Sequence, residues 1–215
     1  MKKRLSLLVV SVMLLLASST IAKEFQWTMF LPALTNVGSI PTVTSAGQMW
    51  MDRNLGASQV ATSMIDSAAK GDLYQWGRGT DGHQLRTSGT TSTNSSIDDP
   101  GHGNFILENS FAVHYDWRQT QNDNLWQGDN GTNNPCPAGF RLPTETEWEA
   151  ERATWSTNDL TGAFASPLKL IAAGLRYGNN GTVFPGTYGY YWGSTVNGVN
   201  SFYLVLQPDD ALSSY

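Results

Sequence analysis

Hydrophobic and polar positions divide the chain into three parts. Lys2, Lys3 and Arg4 precede an apolar run from Leu5 to Leu16, broken only by Ser6 and Ser11 and followed by small residues from Ala17 to Ala22. This is the layout of a secretory signal peptide, and the run is shorter than the roughly 20 apolar residues a membrane span requires. Cleavage is expected after Ala22, with a cut near Ser19 as the alternative and an uncleaved anchor as the competing reading. No Cys follows the apolar run, so a lipid anchor is not expected. Residues 23–44 carry Pro32, Gly38 and Pro41 among short apolar pieces and read as a loose N-terminal segment. The pattern then predicts a domain over 45–215, beginning with a short strand at 48–55.

Within that domain, Ala57, Val60, Ala61, Met64, Ile65, Ala68 and Ala69 suit one or two helical turns stopped by Gly71. Residues 73–76 read as a strand bounded by glycine. Residues 77–104 are the least core-like stretch, and so long a loop is expected to be functional or mobile. A second Asn/Asp/Gly-rich loop covers 119–135, interrupted by Leu125 and Trp126. One helix is sharply marked, after Pro143. Thr144-Glu145-Thr146-Glu147 forms a capping box, and the acids at 145, 147 and 149 suit the positive end of the helix dipole. Trp148 and Trp155 lie two turns apart on one face, and Asn158 and Gly162 supply the stop. Segments 168–177, 189–194 and 201–206 read as strands joined by Gly/Asn turns.

Composition narrows the function classes. The 215 residues carry 13 Lys+Arg, 18 Asp+Glu, three His and one Cys, and only 14% are charged. Gly, Ser, Thr and Asn make up over a third of the chain. A net charge of −5 argues against a nucleic-acid binder. Removal of residues 1–22 leaves ten basic and eighteen acidic residues, a net of −8. The single Cys excludes an intrachain disulfide and any zinc site needing two or more cysteines.

Candidate chemistry is sparse. Gly77-Arg78-Gly79-Thr80-Asp81-Gly82 matches the dinucleotide-binding spacing, but no helical pattern follows, so a Gly-rich turn is the better reading. His83, His102 and His114 lack helical zinc spacing and read as exposed loop residues, with a loop-built metal site near Asp81, Asp98, Asp99 and Asp116 as the alternative. The run from Asn122 to Gly131 holds oxygen ligands that suit calcium, with Asp123, Asp129 and Asn130 as candidates, although it lacks the EF-hand order. Plain Asx-turn chemistry is the competing account of that run. No G-x-S-x-G motif is present, and the helix glutamates diverge by about 200° per two residues, so they form no carboxylate pair. Of eight tryptophans, Trp50, Trp76, Trp148 and Trp192 are expected in the core. Trp117 and Trp126 flank a polar loop and are the candidates for surface ligand platforms.

Five segments carry a family resemblance. They are Trp50–Ala57, Gly71–Gly77, Asn134–Trp148 (NPCPAGFRLPTETEW), Ala173–Tyr177 and Gly189–Thr195. In this order and spacing the chain resembles the Fibrobacter succinogenes major paralogous domain. That is a group of exported bacterial proteins related in fold to the formylglycine-generating sulfatase-modifying enzymes and the C-type lectins. The resemblance covers roughly residues 45–215. It implies an α+β, C-type-lectin-like domain with a small twisted antiparallel sheet, few helices and long ordered loops. It also implies structural roles for Cys136, Arg141, Pro143, Thr144, Glu147, Trp148 and Trp192. Relatives continue into a further strand ending in a Cys, so the resemblance implies that the chain is truncated after Tyr215 and that the partner of Cys136 lies beyond it.

Three functions follow as expectations. The first is a non-catalytic binding or cell-surface module, secreted, periplasmic or surface-bound, with a glycan or protein partner and no cofactor unless calcium binds. Its candidate surface is the 78–104 loop, Trp117, the 122–133 loop and the 178–188 turn. The second is a structural part of an envelope or appendage assembly. The third, an oxidase of the formylglycine-generating type, is disfavoured because its chemistry uses paired cysteines on copper.

Overall fold

The computed structural model describes residues 40–107 and 116–215. The expected signal peptide, residues 23–39 and His114 lie outside the described residues. Residues 42–215 form one compact unit. A strand precedes the one expected at 48–55. β1 (Thr42–Ser45) pairs antiparallel with β2 (Gln48–Met51). Ala46 and Gly47 both take positive φ, at 49° and 75°, as a two-residue hairpin turn matched to strand twist requires. The expected strand at 48–55 therefore ends at Met51.

Two further short pairs follow: β3 (Thr90–Thr91) parallel to β4 (Phe105–Ile106), and β5 (Leu175–Arg176) antiparallel to β6 (Val183–Phe184). The largest sheet is a three-stranded antiparallel meander of β7 (Gly189–Asn197), β8 (Asn200–Leu206) and β9 (Ala211–Ser214). Its register pairs Trp192 with Tyr203 and shifts between Trp192 and Val196. The chain is thus a mixed α+β protein with few helices and small antiparallel sheets.

The marked helix is present as α1 (Glu145–Arg152) with the full capping box. Thr144 Oγ1 accepts the Glu147 amide at 3.3 Å, and Glu147 Oε2 accepts the Thr144 amide at 2.8 Å. Arg141 grips both Glu147 oxygens at 2.7 and 2.8 Å, tying the loop before Pro143 to the cap. Ser194 then donates its amide to the Pro143 carbonyl at 2.8 Å, which hangs α1 on β7. Thr144→Ala should lower stability by about 1 kcal/mol in urea denaturation. Glu147→Ala should cost more, because it also strips Arg141 of its bidentate partner.

Helix α1 ends at Arg152, and Gly162 lies inside a second helix, α2 (Leu160–Ala165), instead of stopping the first. Asp159 caps α2 by accepting the Gly162 amide at 2.8 Å. Gly162 is needed for close approach: a Cβ there would sit 1.9 Å from the Thr157 carbonyl oxygen. Only the 3₁₀ turn Ser67–Ala69 represents the helical turns expected over 56–71.

The main core joins Trp148, Leu160 and Ala163 of the helical region to Leu168, Leu170, Phe202, Leu204 and Leu206. Residues 168–173 alternate between this core and a second cluster around Ile171 and Ala173. That alternation is strand-like, yet only Leu175–Arg176 of the expected 168–177 strand joins a ladder. Backbone groups here find other partners: Tyr191 Oη donates to the Ile171 carbonyl and accepts its amide, and Ala172 donates to the Met64 carbonyl.

Tryptophan supplies much of the missing ladder. Each of the seven tryptophans among the described residues donates its indole N–H, and six donate to backbone carbonyls. Trp192 bonds the Tyr74 carbonyl, Trp117 the Trp76 carbonyl, Trp76 the Gly193 carbonyl and Trp148 the Trp192 carbonyl. Residues 73–76, expected as a strand, join no ladder and are held in part by these side chains. Buried carbonyls that no ladder pairs need another donor, and a large apolar ring with one N–H does both tasks.

Candidate functional site

Half-buried aromatic side chains from separate parts of the chain line a cleft of about 800 Å³. Trp50 comes from β2, Tyr74 and Trp76 from the 73–76 segment, Tyr190 and Trp192 from β7, and Tyr203 from β8. The two strands place their rings by period-two alternation. Tyr191, Phe202, Leu204 and Leu206 belong to the core side, while Tyr190, Trp192 and Tyr203 carry the opposite face. The Tyr203 ring lies 5.6 Å from Trp192, edge-on, and 6.1 Å from Tyr190. Gln121 donates to the Gly198 carbonyl at 2.8 Å and to Asp123, fastening the 121–123 loop to the β7–β8 turn at the cleft.

A buried polar network stands behind the segment that bears Tyr74 and Trp76. Arg78 is fully buried and spends its guanidinium on Asp81 Oδ2, Gln75 Oε1 and the carbonyls of Asn104 and His102. Gln75 Oε1 also accepts the Ile106 amide at 3.0 Å, while its Nε2 donates to the Ile106 carbonyl at 2.8 Å. His83 is fully buried as well, which corrects the expectation of an exposed loop histidine. Its Nε2 accepts the Gln75 amide at 3.0 Å, so the ring proton resides on Nδ1, 2.6 Å from Asp81 Oδ1. Residues 77–104 are therefore anchored through Arg78, His83 and Gln84, all buried. The glycine motif at 77–82 is a turn with no helix after it.

These groups set an acid limit on stability. Burial would raise the Asp81 pKa, but hydrogen bonds from the His83 ring and amide and from Arg78 outweigh it and hold the carboxyl at about 2. Arg141 lowers Glu147 to about 2 against a burial penalty. Burial pushes His83 below its ordinary value, more than Asp81 raises it. In all three cases the unfolded chain binds more protons than the folded one, so stability rises with pH across this range. The His83 contribution is complete above about 6.5 and erodes below it; the carboxylate contributions erode from about 4.5 towards 2. Melting temperature should therefore fall steadily from pH 7 to pH 3, and His83→Gln should flatten the upper part of that curve.

The residues expected as ligand contacts divide. Trp117, Trp126 and Asp123 border the cleft; Asp129 and Asn130 do not. Trp117 and Trp126 are 3% and 1% exposed, so both are wall residues rather than surface platforms. Their indoles are claimed by carbonyls of Trp76, Arg78 and Asn133, which draws them inward. Asp129 faces Arg141 at 3.6 Å, and Asp123 accepts from Gln121. No three His, Cys, Asp or Glu side chains converge on a common point among the described residues. Tyr74, Tyr190 and Tyr203 were not singled out from the sequence. The Tyr190-x-Trp192 alternation within an expected strand carried the signal for one of them.

Cys136 also borders the cleft as a free, half-buried thiol. Burial pushes its pKa up to about 11, so it stays protonated at neutral pH. Among the described residues, no helix is long and apolar enough to cross a membrane. No family model matches the chain, and no curated protein or solved structure matches it either.

Proposed function

We infer that this protein is an exported, non-catalytic binding module whose ligand sits in the aromatic cleft. The observation that carries the reading is the cleft itself: about 800 Å³ of space walled by aromatic rings, within the size range of small-ligand sites. The N-terminal pattern supports export to the periplasm, cell surface or medium. Few helices, small sheets and long anchored loops support a C-type-lectin-like version of the α+β fold, as does the resemblance to the Fibrobacter succinogenes major paralogous domain. The chemistry bordering the cleft favours binding over turnover. Cys136 is a protonated thiol at neutral pH.

The test applies the exported chain to glycan and protein arrays, with copper-dependent oxidation of a cysteine-containing peptide assayed in parallel. Saturable binding without oxidation is the expected result. Oxidation of the peptide, lost in Cys136→Ser, would replace this reading with an oxidase.

A further inference from the structure

The tip of the β7–β8 hairpin is set apart from the rest of its sheet. The ladder between these strands is interrupted after Trp192 and resumes only where Val196 pairs with Ser201 and Asn197 with Asn200. Two residue pairs therefore hold the tip, and residues 197–200 are all exposed. Of the two turn residues only Gly198 takes a positive φ, at 61°, as a type II′ turn requires. Such a turn bonds its outer residues to each other and leaves the amide of its first central residue free. Short, exposed ladders of this kind open locally at little cost.

Asn197 and Gly198 are also reactive neighbours. When the amide nitrogen after an asparagine attacks the side-chain carbonyl carbon, a five-membered succinimide forms and ammonia leaves. Glycine favours the attack because it has no side chain to block the approach. The chain has three Asn-Gly pairs, at 130–131, 180–181 and 197–198, and all three asparagines are exposed. Hydrogen bonding separates them. The Gly131 amide donates to the Gly128 carbonyl at 3.1 Å, and the Gly181 amide to the Tyr177 carbonyl at 2.8 Å. Asn180 also commits its Oδ1 to the Thr182 amide at 2.9 Å. Among the described residues, the Gly198 amide and the Asn197 side chain bond to nothing. Local space agrees. A Cβ on Gly131 would meet the Gln127 carbonyl oxygen at 2.5 Å, and one on Gly181 the Thr90 side chain at 2.6 Å, whereas one on Gly198 meets nothing within 4 Å. The Gly198 nitrogen is thus free to lose its proton and has room to turn towards Asn197.

We propose that Asn197–Gly198 is a site of self-modification that unfastens the 121–123 loop. The Gly198 nitrogen bonds to Asn197 Cγ, and Nδ2 departs as ammonia. Water then opens the ring at either carbonyl, giving isoaspartate or aspartate. The net change is amide plus water to carboxylic acid plus ammonia, and it needs no oxidant. Isoaspartate routes the main chain through the former side chain and lengthens it, so the Gly198 carbonyl is displaced. That carbonyl is the one that accepts Gln121 Nε2 at 2.8 Å. Either product also carries a negative charge, and the tip shares Gln121 with the Asp123 carboxylate. Geometry and charge both weaken the tie.

Peptide mapping by mass spectrometry on the exported full chain, aged in heavy-oxygen water, tests the site. Asn197 should convert about tenfold faster than Asn130 or Asn180, the scale of one retained amide hydrogen bond. It should take up oxygen from the solvent and react faster as pH rises. In urea the three rates should converge, because the difference lies in the fold. Nuclear magnetic resonance of the Gln121 side-chain amide tests the unfastening. Its signal should shift in the aged chain and stay in place in aged Asn197→Gln, whose longer side chain closes the ring poorly. Conversion of Asn197 no faster than of Asn130 or Asn180, or a lead that persists in urea, would overturn the site. A Gln121 signal indifferent to conversion would overturn the unfastening.

Discussion

Arg78→Met should destabilise the domain by about 3–5 kcal/mol, the cost of removing one partner from a buried ion pair. Arg78 has no exposed surface, and its guanidinium serves two side chains and two backbone carbonyls. Methionine fills similar volume but donates nothing. The Asp81 carboxylate would keep only the His83 hydrogen bonds, and the carbonyls of Asn104 and His102 would lose their guanidinium donor. The guanidinium also lies 5.5 Å over the Trp117 ring, a contact methionine reproduces only in part. Against a typical domain stability of about 5–15 kcal/mol, this loss approaches global unfolding. Urea denaturation of the variant should show an early midpoint with an unchanged slope. Arg53→Met is the comparison: Arg53 also pairs with an aspartate, but at a partly exposed site, and its removal should shift the midpoint less. Equal shifts would mean that the Arg78 network is no more valuable than a surface pair.

The contrast between these arginines shows what local sequence can specify. Helix α1 was legible because its determinants, Thr144, Glu147 and the preceding Pro143, lie within a few residues of one another. Strands β7 and β8 were legible from alternation, and the turn between them from Gly198. The burial of Arg78 and His83 was not, because their partners come partly from residues 102–106 and 75, across a loop whose composition reads as solvent-exposed. Trp117 and Trp126 were misplaced for the same reason. A tryptophan beside a polar loop looks available for ligands until the carbonyl that claims its indole is known. Gly162 looked like a stop because a glycine's tolerance for close approach by another backbone segment has no local signature. The cleft was only partly legible: Asp123 and the two buried tryptophans border it, but it is created where β2, β7 and β8 meet the 73–76 segment. No single one of these segments encodes that meeting.

Trp126→Ala should cost about 3–5 kcal/mol and should also weaken any ligand held in the cleft, although Trp126 itself is only 1% exposed. Its ring lies 5.7 Å from Trp76 and 6.4 Å from Tyr74, both of which face the cleft. Its indole N–H is shared between the carbonyls of Arg78 and Asn133, at 3.1 and 2.8 Å, and so joins the first polar loop to the second. The residue holds a φ of +61°, which gives it a backbone cost that only these contacts offset. Alanine removes the ring and the shared donor while keeping an unfavourable φ. Trp126→Phe separates the two contributions: it keeps most of the ring volume, loses the N–H, and should cost about 1–3 kcal/mol from the unpaired carbonyls. If phenylalanine is as damaging as alanine, the hydrogen bond between the loops dominates. If it is nearly neutral, Trp126 acts by filling space behind Tyr74 and Trp76. The inter-loop tie then rests on Asn133, whose side chain donates to the carbonyls of Gly77 and Asp98 at 2.9 and 2.7 Å.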